Sequence, residues 1–95
     1  MPDVVHELLV TEAVLEKLGA RDIAPDEVQD LLHNRHVVLR NPRAPDPVKR
    51  RLLIGRTDGQ RGLTLVIENT IEPTTWLLVT AWSATDVERN LLGER

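Results

Sequence analysis

The sequence contains no cysteine, no phenylalanine and no tyrosine, and its 95 residues include only two tryptophans. A chain without cysteine forms no disulfide and no zinc–thiolate site, and it has no thiol nucleophile, which favours a reducing compartment. With so few aromatic residues the core must be aliphatic. Single-stranded nucleic-acid readers that stack bases on several exposed rings are also disfavoured.

Long apolar runs are missing too. One of the longest is Trp76-Leu77-Leu78-Val79, far short of the roughly 20 residues that span a bilayer. The first residues carry neither the basic segment nor the apolar segment of a secretory signal. We therefore expect no membrane association and a cytoplasmic location, and the length predicts one domain over residues 1–95.

The net charge of −3 conceals three blocks of opposite sign. Residues 1–32 carry −6, residues 33–67 carry +6 and residues 68–95 carry −3. The bases of the central block are Arg35, Arg40, Arg43, Lys49, Arg50, Arg51, Arg56 and Arg61. Arginine is the residue whose planar fork suits phosphate or carboxylate. The block predicts an anion-binding surface, with solvated charges that prevent edge-strand aggregation as the alternative.

Two short helices are predicted before the sheet. Thr11 is a suitable N-cap for the first, and Gly19 is expected to end it. Pro25 opens the second, with acids in its first turn. Because the helices are short and closely connected, we expect them to form a helical hairpin that packs on other structure. The stretch from Val4 to Val10 is compatible with an edge strand before them.

Four strands follow, over residues 36–40, 51–57, 63–69 and 75–82. Residues 41–47 contain three prolines and predict a stiff surface loop, and Asp58-Gly59 predicts a hairpin turn. A last helix begins in a capping box, either Ser83 with Asp86 or Thr85 with Glu88, with Val87 and Leu91 expected to face inward. The predicted fold is therefore α+β: an N-terminal helical hairpin packed on a four-stranded antiparallel meander sheet, with a short C-terminal helix.

Most catalytic chemistries lack their motif in this chain. No glycine pattern forms a phosphate loop, and Ser83, the only serine, has a capping role. His33 and His36 lack a third ligand nearby in sequence, so no metal site and no cofactor are expected. A metal-independent ribonuclease remains open, because attack of the 2′-hydroxyl on its own phosphate needs mainly positioning and cations. Arginines of the second strand, Arg61 at the hairpin tip and Glu68 could supply a charged cluster, although strand parity separates Arg56 from Arg51.

Several segments resemble the BrnT toxins of type II toxin–antitoxin systems. They are Arg51-Leu52-Leu53-Ile54-Gly55-Arg56 before the hairpin, Leu63-Thr64-Leu65-Val66-Ile67 after it, and Val79-Thr80-Ala81-Trp82-Ser83-Ala84 with Glu88-Arg89. The resemblance implies a RelE-like fold, RNA cleavage and a neutralising antitoxin. The usual arginine after the third strand is absent, since Ile67-Glu68-Asn69-Thr70 stands there, and so is a late helix tyrosine.

The sequence and the resemblance together favour a toxin component that cleaves mRNA without a metal. The alternative is a non-catalytic binding module of the same fold that engages an acidic protein or nucleic acid, and an enzyme acting on a small anion has no motif behind it. The expected partners are RNA and a cognate antitoxin, with a homodimer also open. The expected catalytic residues are Arg56, Glu88, Arg89 and Glu68, and the expected nucleic-acid or anion-binding residues are Arg40, Lys49, Arg50, Arg51 and Arg61.

Overall fold

The computed structural model describes residues 4–40 and 49–93. Its elements are β1 (Glu7–Leu9), α1 (Glu12–Ala20), α2 (Pro25–His33), β2 (His36–Arg40), β3 (Arg50–Arg56), β4 (Gly62–Asn69), β5 (Thr75–Ser83) and α3 (Asp86–Asn90). The predicted α+β class is confirmed. The predicted proline-rich loop and Arg43 lie outside the described residues. Over the described ranges, no helix has both the length and the apolar character that a bilayer crossing needs.

The sheet has five strands in the order β1-β5-β4-β3-β2 and is mixed. Strands β2 to β5 form the expected antiparallel meander. Strand β1 adds a parallel edge to β5, with Leu8 beside Trp76. The prediction of a four-stranded, purely antiparallel sheet was therefore wrong by one strand. A strand of three residues with one buried side chain carries too little alternation to fix its pairing from sequence.

Helix α1 begins at the expected cap and ends later than expected. The Thr11 hydroxyl accepts a hydrogen bond from the Val14 N–H at 3.3 Å. The left-handed residue that ends the helix is Asp22, with φ 57°, and not Gly19. The Ile23 N–H donates to Leu18 O, and the Asp22 N–H donates to Gly19 O. These bonds form a Schellman motif, in which buried Leu18 and Ile23 supply the usual apolar pair.

Helix α2 begins at Pro25 as expected, and Val28 and Leu31 are fully buried. The main contacts of α1 are with β5, and those of α2 are with β3. The two helices therefore do not form the predicted helical hairpin, although each packs on the sheet as expected. Each buries its apolar stripe on the sheet, which offers a larger apolar area than a second short helix.

The core lies between the sheet and these two helices, on what we call the helix face. Its central rows are Leu53, Leu65 and Ala81 in one row and Ile67 beside Leu78 in the next. The β4–β5 pairing shifts register between Val66 and Ile67, which places Leu78 and then Ala81 on this one face although they are three apart. Val79 is the additional residue of that β-bulge.

The opposite face of the sheet is covered at one end by α3. Trp82 and Thr64 lie on this face, and the Trp82 indole contacts Glu88 of α3. Val87 and Leu91 are 72% and 50% exposed, so the prediction that they face inward was wrong. A helix of one turn and a half has little room for a periodic stripe, and the buried residue is Leu92, just beyond it.

Candidate functional site

Many of the charged residues lie at one of two opposite ends of the sheet. At the hairpin end, β3 leads into β4 through residues 57–61, and β2 begins. At the far end, β4 leads into β5 through residues 70–74, and β2 ends. Gly62 and Glu68 stand six residues apart along β4, so the two ends are separated by roughly 20 Å. Charges placed at different ends cannot act on one reacting group.

A cavity of about 260 Å³ opens at the hairpin end. It is lined by Asn34, Arg35, Arg56, Thr57, Gln60, Leu92 and Gly93. Two of these residues carry guanidinium groups, two carry carboxamides, and none is acidic. Guanidinium and carboxamide groups donate hydrogen bonds, and the guanidinium groups also carry positive charge, which suits an anionic group such as a phosphate.

The hairpin that forms one wall of the cavity is held by its own backbone. The Thr57 N–H donates to Arg61 O at 2.9 Å, and the Gln60 N–H donates to Thr57 O at 2.9 Å. Gln60 occupies the left-handed region with φ 70°. The Thr57 hydroxyl is buried and accepts from the Arg61 N–H at 3.1 Å. This fixed turn holds the Gln60 side chain near Arg56, whose Nη1 donates to Gln60 Oε1 at 3.3 Å.

The other wall comes from the α2–β2 connection and from the turn at Leu92 and Gly93 that follows α3. The Asn34 amide donates to Arg56 O at 2.9 Å and ties the connection to β3. Gly93 has φ +77°, and a Cβ built there would lie 3.3 Å from Nη2 of Arg35. A side chain at this position would therefore meet both backbone strain and the Arg35 guanidinium. Sequence reasoning counted Arg35 in the basic block but did not place it at a site, although an antiparallel β2 must begin beside the end of β3.

Arg56 and Arg89 are brought to the same end of the sheet. Gly62 is the cross-strand partner of Arg56. A Cβ built on Gly62 would lie 3.1 Å from Cδ of Arg89, so the Arg89 stem crosses this glycine. Arg89 Nη2 also donates to Asp86 Oδ1 at 2.6 Å. Two of the expected catalytic residues are thus neighbours, and one of them is paired with an acid of its own helix.

Glu88 lies near these arginines but has a different set of contacts. Its carboxylate accepts from the Thr85 N–H at 2.9 Å and from Trp82 Nε1 at 3.1 Å. Burial acts to raise the pKa of Glu88, but the bonds from Thr85 and Trp82 outweigh it, and the pKa lies below its ordinary value. The buried Thr64 hydroxyl also faces this carboxylate, but outside regular hydrogen-bond geometry, so we regard Thr85 and Trp82 as its fixing partners. A carboxylate held in this way anchors α3 and is a weak proton acceptor.

Glu68 lies at the far end, away from the other expected catalytic residues. Its Oε2 is 3.7 Å from Nη2 of Arg50, on the opposite face of the sheet. Arg40 and Arg51 are cross-strand partners whose parity with Leu53 places them on the helix face. The Lys49 N–H donates to Asn69 Oδ1 at 3.1 Å and continues the β3–β4 ladder. The expected binding residues of the far end are therefore divided between two faces.

Arg61 has a structural role on the helix side of the hairpin end. Its Nη1 donates to Asp22 O at 2.7 Å and lies 3.2 Å from Glu27 Oε1. Its Nη2 donates to the Ser83 hydroxyl at 3.2 Å. These contacts join the α1–α2 connection, α2 and β5, so the expectation that all central arginines serve one surface does not match their placement.

A second cluster at the hairpin end was not anticipated from the sequence. Asp30, His33 and Asp58 each place a nitrogen or oxygen ligand atom within 4.8 Å of the others. Hydrogen bonds from Asn34 and then His33 hold the pKa of Asp58 below its ordinary value. His36, the histidine considered with His33 in sequence, instead bonds Asn34 O through Nδ1. Asp30 stands three residues before His33 on α2, so helical spacing could have found it, whereas Asp58 is distant in sequence and meets α2 only through the fold.

Comparisons with known proteins do not identify a relative. No protein-family model matches the chain, and no curated protein and no solved structure matches it.

Proposed function

We propose that this chain is the toxin-type component of a toxin–antitoxin pair and that it acts on RNA at the hairpin end of the sheet. The observation that carries the proposal is the cavity whose described lining brings Arg35 and Arg56 together with the carboxamides of Asn34 and Gln60. Its volume of about 260 Å³ suits one phosphate with part of a nucleotide rather than a whole large ligand. The sequence likeness to BrnT toxins supports the same assignment.

The proposed reaction is cleavage by the RNA itself. The 2′-hydroxyl gives its proton to water and its oxygen bonds to the adjacent phosphorus. The bond from phosphorus to the 5′-oxygen breaks, this oxygen takes up a proton from water, and a 2′,3′-cyclic phosphate forms. Guanidinium groups stabilise the charge that develops on the phosphate oxygens. Arg35 and Arg56 line the cavity, and Arg89 reaches the neighbouring Gly62, so these three are the residues we assign to that role. Glu88 is assigned to positioning α3, because its carboxylate is already held by Thr85 and Trp82.

A non-catalytic binding module is the second candidate, and one observation favours it. Among the residues that line the cavity in the described chain, none is a histidine or a carboxylate that could accept the 2′-proton. Of the predicted acids, Glu88 caps α3 and Glu68 pairs with Arg50 at the far end. A module of this kind would bind RNA or an acidic protein segment and leave RNA intact.

The proposal includes a cytoplasmic location and an antitoxin as partner, with a homodimer as the other assembly to test. The opposite face supports a protein partner, because α3 covers only its hairpin end. Leu39, Leu52 and Leu77 on that face are half-buried, and Leu9 at its edge is 46% exposed. Apolar area of this kind is a common feature of interaction surfaces.

The test combines growth and RNA integrity. Induced expression should arrest growth, and purified protein should cut RNA, while Arg56→Ala and Arg89→Ala should each cut more slowly. Arg50→Ala is the matched control, since it removes an arginine from the far end. Intact RNA with saturable, salt-sensitive binding would favour the binding module. Equal cutting by the wild type and all variants would place the activity elsewhere, and neither binding nor cutting would contradict both candidates.

A further inference from the structure

We propose that Asp30, His33 and Asp58 form a binding site for one divalent transition-metal ion of the zinc class. His33 Nε2 lies 3.1 Å from Asp58 Oδ1 and 4.0 Å from Asp30 Oδ1. Nitrogen and oxygen ligands placed tetrahedrally at zinc distances stand about 3.3–3.6 Å apart. The observed spacing brackets that value, so small side-chain movements bring the three atoms around one ion.

The donor set determines which ion is expected. One imidazole and two carboxylates supply a borderline nitrogen ligand and two negative charges. Imidazole suits zinc, nickel, cobalt and copper, whereas magnesium and calcium prefer oxygen ligands alone. The side chains of His33 and Asp58 are 62% and 65% exposed, so water can reach the remaining coordination position. Three protein ligands with water in the open position are a usual arrangement for zinc.

The fold holds these ligands together before any ion arrives. Asp30 and His33 are three residues apart on α2 and share one side of the helix. The Asp58 N–H donates to Asp30 Oδ2 at 3.0 Å, which ties the hairpin to the helix. The Asn34 amide donates to Asp58 Oδ1 at 2.9 Å and orients that carboxylate. Outer hydrogen bonds of this kind fix the direction of a metal ligand and affect its affinity.

An ion in this position would join α2 to the β3–β4 hairpin. Asn34 and Thr57 belong to the wall of the arginine-lined cavity, and they are next in sequence to His33 and Asp58. Metal binding is therefore expected to stiffen that wall. The proposal does not depend on the proposed function, because binding is measured on the protein itself and needs no RNA.

The alternative is that His33 and Asp58 form only an ion pair when the imidazole is protonated. An ion pair and a metal site differ in their response to zinc. An ion pair alone gives no saturable zinc binding and no rise in melting temperature with zinc. A metal site gives both, because an ion that binds only the folded state raises the melting temperature.

The experiment is a titration of untagged full-length protein with zinc chloride near neutral pH, by calorimetry and thermal melting, with magnesium chloride as the second probe. We expect one zinc per chain, a rise in melting temperature with zinc and none with magnesium. His33→Ala and Asp58→Asn should each weaken zinc binding at least about tenfold, while exposed His6→Ala should not change it. Circular dichroism without metal checks that each variant is folded. The proposal would be overturned by absent or non-saturable zinc binding, by equal affinity in the wild type and His33→Ala, or by loss of binding in His6→Ala.

Discussion

The two ends of the sheet both carry arginine, but they place it in different surroundings. At the hairpin end, Arg35 and Arg56 line a concave space together with the carboxamides of Asn34 and Gln60. At the far end, Arg50 meets Glu68 on one face, and Arg51 lies on the other. A run of bases in sequence is therefore not a binding surface by itself. What distinguishes the hairpin end is a cavity whose described lining includes two arginines and two carboxamides.

The largest expected effect is on RNA affinity. Removing both cavity arginines in an Arg35→Ala, Arg56→Ala double variant should weaken binding to a short RNA roughly 10- to 100-fold, and it should reduce the dependence of affinity on salt, because two phosphate contacts disappear. The matched far-end variant, Arg50→Ala with Arg51→Ala, should change affinity less than about threefold. Fluorescence anisotropy at several salt concentrations measures both. Equal losses would mean that net charge and not the cavity attracts RNA.

The next comparison concerns one carboxylate from each end. Glu88→Ala removes the acceptor of the Thr85 N–H and of the Trp82 indole, and it should lower the free energy of unfolding by about 1–2 kcal/mol. Glu68→Ala removes a partly exposed pair at 3.7 Å and should cost about 0–1 kcal/mol. Urea denaturation of the two variants decides the order. A larger loss in Glu68→Ala would show that α3 contributes less to stability than its contacts indicate.

The pH dependence of stability should test the assigned contacts of Glu88 further. Its folded-state pKa lies below the ordinary value of 4.5, so its stabilising contribution is complete above that value and is lost as the pH falls through the folded pKa. The difference in unfolding free energy between the wild type and Glu88→Gln should therefore be constant near neutral pH and shrink as the pH falls below 4.5. A difference that grows on acidification would contradict the assigned contacts.

The smallest expected effect tests the position of Arg89 without removing it. In Gly62→Ala the new Cβ would lie 3.1 Å from Cδ of Arg89, and the flexible stem can move by a few tenths of an ångström. Stability should change by less than about 0.5–1 kcal/mol, since relief of glycine entropy offsets the contact. A change in RNA cleavage or affinity with unchanged stability would indicate that the path of Arg89 matters. If RNA cleavage and affinity are both unchanged in Gly62→Ala, Arg89 contributes through its charge and not through the path of its side chain.

Much of the fold could be predicted because local chemistry determines it. The Thr11 cap, Pro25 at the start of α2 and the Asp58-Gly59 turn act within a few residues, and the α+β class follows from the order of these elements. The pairing of edge strand β1 and the end of α1 could not be predicted in the same way. The first depends on pairing with distant Trp76, and the second on Asp22 taking a left-handed conformation that glycine usually adopts.

The candidate site was predicted in part for a related reason. Arg56 and Arg89 were expected to work together, and β4 brings them to one end through Gly62. Glu68 was grouped with them because neighbouring strands share a face, but the register places it six residues further along β4. Arg61 looked available at a hairpin tip, and only the fold shows that Asp22 and Glu27 bind it. Register and long-range pairing are the information that sequence patterns lack.

The bulge at Val79 determines which side chains of β5 pack on each face of the sheet. Before the bulge, Trp76 and Leu78 point toward the first two helices, and after it Ala81 points the same way. Trp82 therefore lies on the opposite face, where its indole donates to Glu88. If β5 ran straight from Leu78 with Val79 paired in the ladder, strict alternation would turn Thr80 and Trp82 toward the first two helices and Ala81 away from them. The closing helix would then lose the indole that Glu88 accepts from, and the interior would be overfilled, so packing on both faces of the sheet depends on Val79 standing outside the ladder.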